Sequence, residues 1–308
     1  MNKSTLILLL ISALLVTASQ GFSRKSKHEK ELSHMTEQQE LTSEEKMNVS
    51  FELFMVELTL KKAPGNLAFK VDVMYDEDYF KPLISYKVRG DYGFLKLGME
   101  YDEDVEFDDF DKLGDIIKGA MHHGDRDING NRWDMFLTDR IPLEIAAEFA
   151  MGNGEMDLSG LKVQELRIEA GMSAMTVKFD EPNSIKMDRL AIEAGLGDFE
   201  LINLGNASTE RLTVEVGLGS ATIDLSGPLP KNLDAEMDVG LGSLKLRIPK
   251  GTPVKINCEC SFLSSVDFDH FKKIDEDEYV SPGFNEDKDF ITLNLAIGLG
   301  SAEVVWVE

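Results

Sequence analysis

Apolar and polar residues alternate along most of the C-terminal half of the chain, and pairs of glycine interrupt the alternation at regular intervals. The clearest example is Leu212–Leu225, where Gly217-Leu-Gly219 separates two alternating stretches. Alternation with a period of two is typical of β-strands with one buried face. Glycine permits a sharp corner because it adopts backbone conformations closed to other residues. Each copy is therefore predicted to be a strand, a corner, a second strand and a loop.

Seven copies of this phrase align on their first corner residue, at positions 152, 171, 195, 217, 240, 261 and 298. One copy cannot bury its apolar face, whereas stacked copies can. The pattern predicts an all-β fold, a right-handed β-solenoid of parallel, in-register rungs of about 22 residues. An antiparallel sandwich built from hairpins is the alternative. The predicted corner glycines are Gly152, Gly154, Gly171, Gly195, Gly197, Gly217, Gly219, Gly240, Gly242, Gly298 and Gly300.

The N-terminal part of the chain is less regular but also β-rich. Residues 50–60 resemble a rung whose glycines are lost, and strands are predicted at 67–74, 83–88 and 92–97. Leu113, Ile116, Ile117 and Met121 have helical spacing in a short insertion. The predicted organisation is a signal peptide (1–21), a charged tether (22–47), a smaller N-terminal β domain (48–140) and the solenoid (141–308), with an insertion at 267–289.

The first residues have the pattern of an export signal. Lys3 precedes an apolar run from Leu6 to Leu15, and small residues follow near Ala18. The run is short for a membrane span, so a cleaved secretory signal peptide is the interpretation, and an uncleaved anchor is the alternative. No other stretch has the ~18 apolar residues that a span requires. The mature protein is therefore expected to be exported, in the periplasm or outside the cell.

The glycine phrases occur together with Asn131-Arg-Trp-Asp134 and Ile141-Pro-Leu143, which lead into the first well-formed copy. In these residues the chain resembles the toast-rack family. The resemblance implies an N-terminal toast-rack domain, followed by a repeat like that of LiaF-type envelope-stress regulators and bacterial adhesin-like proteins. The acidic insertions at 101–111 and 267–289 depart from that pattern. LiaF-type regulators act through a membrane part, so direct signalling to a kinase is not carried over, and the family supplies no catalytic residues.

The chain has 32 basic and 56 acidic residues, a formal net charge of −24, which excludes a nucleic-acid-binding role. An acidic residue recurs near the end of the first strand of several copies. In-register stacking would place these acids in a row about 4.8 Å apart. A solvated face that discourages aggregation is one interpretation, and a site for divalent cations or a basic partner is the other. The residues are Glu169, Glu193, Glu215, Asp238 and Glu259.

Candidate chemistry elsewhere in the sequence is weak. Asp125, Asp127 and Asn129 match the front of a calcium loop, but Phe136 replaces the glutamate that such a loop needs at its twelfth position. Cys258 and Cys260 are predicted to be buried thiols, because a disulfide between residues two apart on a strand would be strained. The glycine phrases open strands rather than helices, so they are not nucleotide-binding loops. No cofactor is expected.

The sequence therefore favours a non-enzymatic, exported envelope protein that offers an acidic β-surface for binding or adhesion. The expected partners are a cell-wall or other envelope component, or divalent cations on the acidic face. An accessory factor or sensor in the envelope-stress response to cell-wall antibiotics is the second hypothesis, and a polysaccharide-active enzyme is the third. The C-terminal rung has an apolar outer face, which either the insertion or self-association is expected to cover.

Overall fold

β-Strands are nearly all of the regular secondary structure in this protein, whose computed structural model describes residues 32–101, 131–261 and 263–308. The other regular element in these ranges is a turn of 3-10 helix, Leu204–Ala207. The strands are β1 (Ser33–Glu40), β2 (Lys46–Leu53), β3 (Val56–Lys62), β4 (Leu67–Tyr75), β5 (Phe80–Arg89), β6 (Tyr92–Tyr101), β7 (Arg132–Leu137), β8 (Leu143–Asp157), β9 (Val163–Lys178), β10 (Arg189–Ile202), β11 (Arg211–Asp224), β12 (Asp234–Pro249), β13 (Val254–Cys260), β14 (Ser265–Phe268), β15 (Lys272–Lys273), β16 (Glu278–Val280) and β17 (Ile291–Val307).

The long strands stack in parallel and in register, one strand to a copy of the repeat. Pairing runs from β8 through β9, β10, β11 and β12 to β17. Like residues therefore lie beside like residues, as where Val214 pairs with Ile192 on one side and Met237 on the other. The prediction of an all-β solenoid is confirmed, and its right-handed sense stays a prediction.

The first rung is formed by β2 and β3, which both pair in parallel with β8. The predicted glycine-poor rung at 50–60 therefore exists. Its corner lies at Phe54–Met55, where Met55 has a positive φ of 55° in place of a glycine. Beyond this rung the sheet divides, because β2 continues to β6 and β5 whereas β3 continues to β7, β4 and β1. The domain boundary between residues 140 and 141 stays a prediction.

The spatial order of the last rungs differs from their order along the chain. The final strand, β17, inserts between β12 and the degenerate copy formed by β13 and β14. The last copy is therefore not the end rung that the sequence suggested. The end rung is β13–β14, and β16 of the insertion pairs antiparallel with β13. The insertion also covers β17, since Phe271 stacks on Trp306 with ring centroids 5.3 Å apart.

The alignment of the β8 copy also needs correction. Gly152 pairs with Ser173, so it has the position of the second corner glycine rather than the first. Its φ of +143° matches the +148° of Gly197, a second glycine. Gly154 pairs with Met175, whose side chain is buried, so Gly154 is not a corner residue. The two glycines around Asn153 have the same spacing as the Gly-x-Gly phrase. Aligning this copy on them displaced it by two positions.

The segment expected to be a solvated tether is partly a strand. β1 pairs antiparallel with β4, and Met35 packs against the core. Its other side chains are mostly exposed, because β1 is an edge strand. Polar composition therefore concealed a strand that presents only one apolar residue to the core. The predicted signal peptide and the insertion with helical spacing lie outside the described residues.

Candidate functional site

The residues of the predicted acidic row pair in register on one face, with Ala296 interrupting the row between Asp238 and Glu259, and we call this feature the acidic column. It lies on the outer face of the first half of each rung, beside the corner. Strands pair about 4.8 Å apart, so successive carboxylates are close neighbours on one face. In spatial order the positions are Glu52, Glu148, Glu169, Glu193, Glu215, Asp238, Ala296 and Glu259. The sequence did not indicate Glu148, because the alignment of the β8 copy was shifted by two positions, nor Glu52, because its rung has no corner glycines.

A basic side chain neutralises only part of the acidic column. Arg167 lies 2.7 Å from Glu169 and 3.3 Å from Glu193. In the described part of the chain, neither Glu215 nor Asp238 forms an ion pair. Burial, followed by repulsion from the neighbouring acids, raises the pKa of the Glu215 carboxyl above its usual value. The middle of the column therefore holds negative charge that a cationic group could neutralise.

A shallow groove on the other outer face is also acidic. It has a volume of about 480 Å³ and runs across the second halves of the first rungs. Its lining includes the small side chains of Ala174 and Thr176 and the acidic side chains of Glu57, Glu155 and Asp198. Lys178 neutralises part of this charge, since its ammonium lies 3.0 Å from Glu155. The corner of the solenoid therefore has carboxylates on both sides.

The model of the family described as the N-terminal domain of toast_rack, DUF2154, matches residues 23–202 and 182–247. The chain belongs to the toast-rack family. The matched part includes the acidic column from Glu52 to Asp238 and the groove on the opposite face. The resemblance inferred from the glycine phrases and from Asn131–Asp134 is thereby confirmed.

Solved structures similar to this toast-rack chain have low sequence identity to it. One is described as a "putative cell adhesion protein" from Clostridium sporogenes, with 17% identity and a TM-score of 0.44, covering 90% of this chain and 100% of that chain. Another is a "putative adhesin" from Bacteroides fragilis, with 11% identity and a TM-score of 0.38, covering 89% of this chain and 97% of that chain. None of the curated proteins compared with the chain matches it.

The two cysteines of the toast-rack chain form a disulfide, which corrects the prediction of buried thiols. The Cα atoms of Cys258 and Cys260 are 5.3 Å apart. A fully extended strand would separate them by about 6.6 Å, so the chain is contracted where β13 ends. This separation lies within the usual range for a disulfide. Both side chains do face the same way, as strand periodicity predicts.

The structure assigns no metal centre to the predicted positions. Asp125, Asp127 and Asn129 lie outside the described residues, so the calcium loop stays a prediction. In the ranges that are described, no three His, Cys, Asp or Glu side chains come close enough to hold a metal ion. The acidic column is thus a row of separate carboxylates. No helix in the same ranges is long and apolar enough to cross a membrane.

Two polar clusters lie beside the first rung, one within the segment 131–134 that carries the family resemblance and one around Glu44, which the sequence did not indicate. The Nδ2 of Asn131 donates to the carbonyl of Met55 at 3.0 Å, and its Oδ1 accepts from the indole N–H of Trp133 at 3.2 Å. The family motif at 131–134 therefore supplies a hydrogen bond to a backbone carbonyl at the glycine-free corner of that rung. The second cluster surrounds Glu44, which is 6% exposed. Glu44 accepts hydrogen bonds from the Tyr86 hydroxyl and from Thr42 and Ser43.

Proposed function

We propose that this toast-rack protein is an exported, non-enzymatic, adhesin-like component of the cell envelope. In this proposal it binds an envelope polymer through the acidic column. The single observation that carries the proposal is the in-register stacking of Glu169, Glu193, Glu215 and Asp238. A rigid solenoid holds these carboxylates at a constant spacing, so little conformational entropy is lost when an extended, repetitive ligand binds along them.

Charge determines which groups such a surface can bind. A row of carboxylates attracts amino groups directly, and it attracts anionic polymers only when divalent cations bridge the two. Cell-wall polymers offer repeated groups of both kinds. Burial, followed by repulsion from Glu193, Asp238 and Glu236, raises the pKa of the Glu215 carboxyl. A cationic or cation-bridged ligand would relieve this repulsion.

Two further features support export. The N-terminal apolar run has the pattern of a signal peptide. The disulfide between Cys258 and Cys260 is of a kind that persists in oxidising compartments outside the cytoplasm.

Co-sedimentation with purified peptidoglycan tests the proposal. We expect the wild-type protein to sediment with the polymer in at least one of two conditions, without calcium or with added calcium. Neutralising the column with Glu193→Gln, Glu215→Gln and Asp238→Asn is expected to reduce the bound fraction at least fivefold, because three neighbouring charges at the middle of the column are removed. The matched control is Glu276→Gln, Glu286→Gln and Asp287→Asn, which makes the same charge change at exposed positions of the insertion.

The control variant is expected to sediment like the wild type. The proposal is contradicted if the wild type stays in solution under both conditions, or if the two triple variants lose binding equally. Equal loss would mean that only overall charge matters. Comparing sedimentation with and without calcium distinguishes direct binding of amino groups from cation-bridged binding of anionic polymers.

A further inference from the structure

A ridge of apolar side chains runs along the corner of the solenoid, between the acidic column and the acidic groove. We call it the corner ridge. It is formed by the residue between the two corner positions of each rung, and these residues pair in register. The ridge consists of Met172, Leu196, Leu218, Leu241 and Leu299. Leu241 and Leu299 are each 44% exposed, whereas the other three are partly exposed.

The leucines of the corner ridge are not part of the hydrophobic core. Leu196, Leu218 and Leu241 belong to neither buried cluster and are not among the residues packed against one. The corner itself requires glycine on each side of them, since a Cβ on Gly219 would lie 1.9 Å from the carbonyl oxygen of Gly197. The corner geometry does not require glycine at the position between these two residues. Met172 does pack against the smaller buried cluster, but folding does not explain why leucine recurs at this position in the other four rungs of the ridge.

The charges beside the corner ridge restrict what can cover it. Glu215 and Asp238 lie three residues before Leu218 and Leu241 in their strands, and Asp198 follows Leu196 by two residues on the groove side. Two copies of the protein that met ridge to ridge would bring like charges together, which is unfavourable. A membrane with anionic lipids would also be repelled. A partner with an apolar stripe and basic flanks would pack its apolar side chains on the leucines and pair its basic side chains with the carboxylates.

The spacing of the corner ridge favours a helical partner. Successive ridge residues are separated by the rung spacing of about 4.8 Å. Side chains on one stripe of an α-helix recur about every 5.4 Å, whereas those on one face of an extended strand recur about every 6.6 Å. A helix can therefore interleave its apolar side chains with the leucines over several turns. Met172 to Leu299 spans four rung spacings, about 19 Å, which corresponds to about 13 helical residues.

We propose that the corner ridge binds a cationic amphipathic helix, with its apolar stripe on Leu218, Leu241 and Leu299 and its basic flanks on the acidic column. The inference shares the acidic column with the proposed function but does not depend on polymer binding. In this complex the leucines provide affinity for the apolar stripe of the helix, and the carboxylates determine how the helix is oriented. Both contributions are needed, because exposed charge pairs alone contribute little.

A designed peptide tests this inference on the full-length mature chain. The probe has about 18 residues of leucine and lysine, with the leucines on one helical face. A scrambled peptide of the same composition, which has no apolar face, serves as the control ligand. Fluorescence anisotropy measures Kd, and circular dichroism measures helix formation on binding. We expect the amphipathic peptide to bind as a helix and the scrambled peptide to bind at least tenfold more weakly.

Protein variants distinguish the contribution of the corner ridge to peptide binding from that of the acidic column. Leu218→Ser, Leu241→Ser and Leu299→Ser together are expected to raise Kd at least tenfold while leaving peptidoglycan sedimentation unchanged. The matched control is Leu83→Ser, Val88→Ser and Ile274→Ser, which removes exposed apolar side chains elsewhere. It is expected to bind the peptide like the wild type. All six positions are exposed or partly exposed, so both variants should fold, which their thermal unfolding checks.

Three results would overturn the inference. Equal Kd for the ridge variant and the wild type would mean that binding is by charge alone. Dimerisation in sedimentation velocity that the ridge variant abolishes would assign the ridge to a second copy. Binding to neutral phosphatidylcholine vesicles that the ridge variant abolishes, without peptide binding, would assign it to lipid. Loss of polymer sedimentation with retained, ridge-dependent peptide binding would overturn only the proposed function.

Discussion

Replacing Gly242 with alanine is expected to destabilise the solenoid severely. Gly242 has a φ of +148°, and a Cβ there would lie 1.7 Å from the carbonyl oxygen of Gly219 in the next rung. The substitution therefore combines backbone strain with a collision that no side-chain movement can relieve. Each effect costs about 1–3 kcal/mol, so we expect the free energy of unfolding, measured by urea denaturation, to fall by roughly 3–5 kcal/mol.

Gly98→Ala is the matched control for this variant. Gly98 lies in β6 with an ordinary φ, and a Cβ there would meet its nearest atom, the carbonyl oxygen of Glu52, at 3.9 Å. It should unfold within about 0.5 kcal/mol of the wild type. Ser173 has the position equivalent to Gly242 in another rung, but its φ is not positive, so its side chain is tolerated. A Gly242→Ala variant as stable as the control would contradict the corner geometry.

Removing the carboxylate of Glu44 is expected to have the second-largest effect. One oxygen accepts from the Thr42 amide at 3.0 Å, the Thr42 hydroxyl at 2.7 Å and the Ser43 amide at 2.9 Å, and the other accepts from the Tyr86 hydroxyl. Hydrogen bonds to a charged group contribute more than neutral ones, and unpaired buried donors are costly. Glu44→Ala is therefore expected to lower the free energy of unfolding by about 3 kcal/mol, and Glu44→Gln by about half as much.

The pH dependence of this effect has a definite sign. Burial alone would raise the pKa of Glu44, but hydrogen bonds from Tyr86, from the backbone of Glu44 itself and from Thr42 outweigh burial and lower the pKa from 4.5 to about 2. A lowered pKa stabilises the fold above the unfolded value, and this contribution is lost as pH falls through the folded one. The stability difference between the wild type and Glu44→Gln should thus be full at pH 7 and shrink between pH 5 and pH 2.

Glu45→Gln is the control for Glu44, because Glu45 is the adjacent residue and is exposed. Its stability should follow that of the wild type across the same pH range. A difference for Glu44→Gln that stays constant from pH 7 to pH 2 would mean that the carboxylate of Glu44 is not held in its charged form by its neighbours. A large effect of Glu45→Gln would point to general surface charge instead.

The repeat made much of the fold predictable from sequence. Alternation around Val214 and Val216 indicated strands with one buried face, and recurring glycines indicated the corners. Because the copies are alike, in-register stacking followed, and with it the neighbouring positions of Glu193 and Glu215. Those inferences rest on local periodicity, which a single sequence shows directly.

Other features depend on contacts between residues distant in sequence. The repeat does not reveal that β17 precedes β13 in the stack, because similar rungs can be exchanged without changing their local pattern. Glu44 lies in a short polar stretch that looks solvated, and only Tyr86, 42 residues away, explains its burial. The disulfide was not predicted because a fully extended strand would hold the two Cα atoms farther apart, whereas β13 is contracted at Cys260.

The stacking order is the central claim, because the acidic column and the corner ridge both depend on it. Cysteine pairs test it directly in a background in which Cys258 and Cys260 are serine. Asp238 and Ala296 pair in register, about 4.8 Å apart, whereas Asp238 and Glu259 lie two rungs apart, about 9.6 Å. A disulfide requires Cα atoms within about 7 Å. We predict that oxidation joins Asp238→Cys to Ala296→Cys and leaves Asp238→Cys with Glu259→Cys unjoined. A disulfide in the Asp238→Cys, Glu259→Cys variant and none in the Asp238→Cys, Ala296→Cys variant would contradict this stacking order.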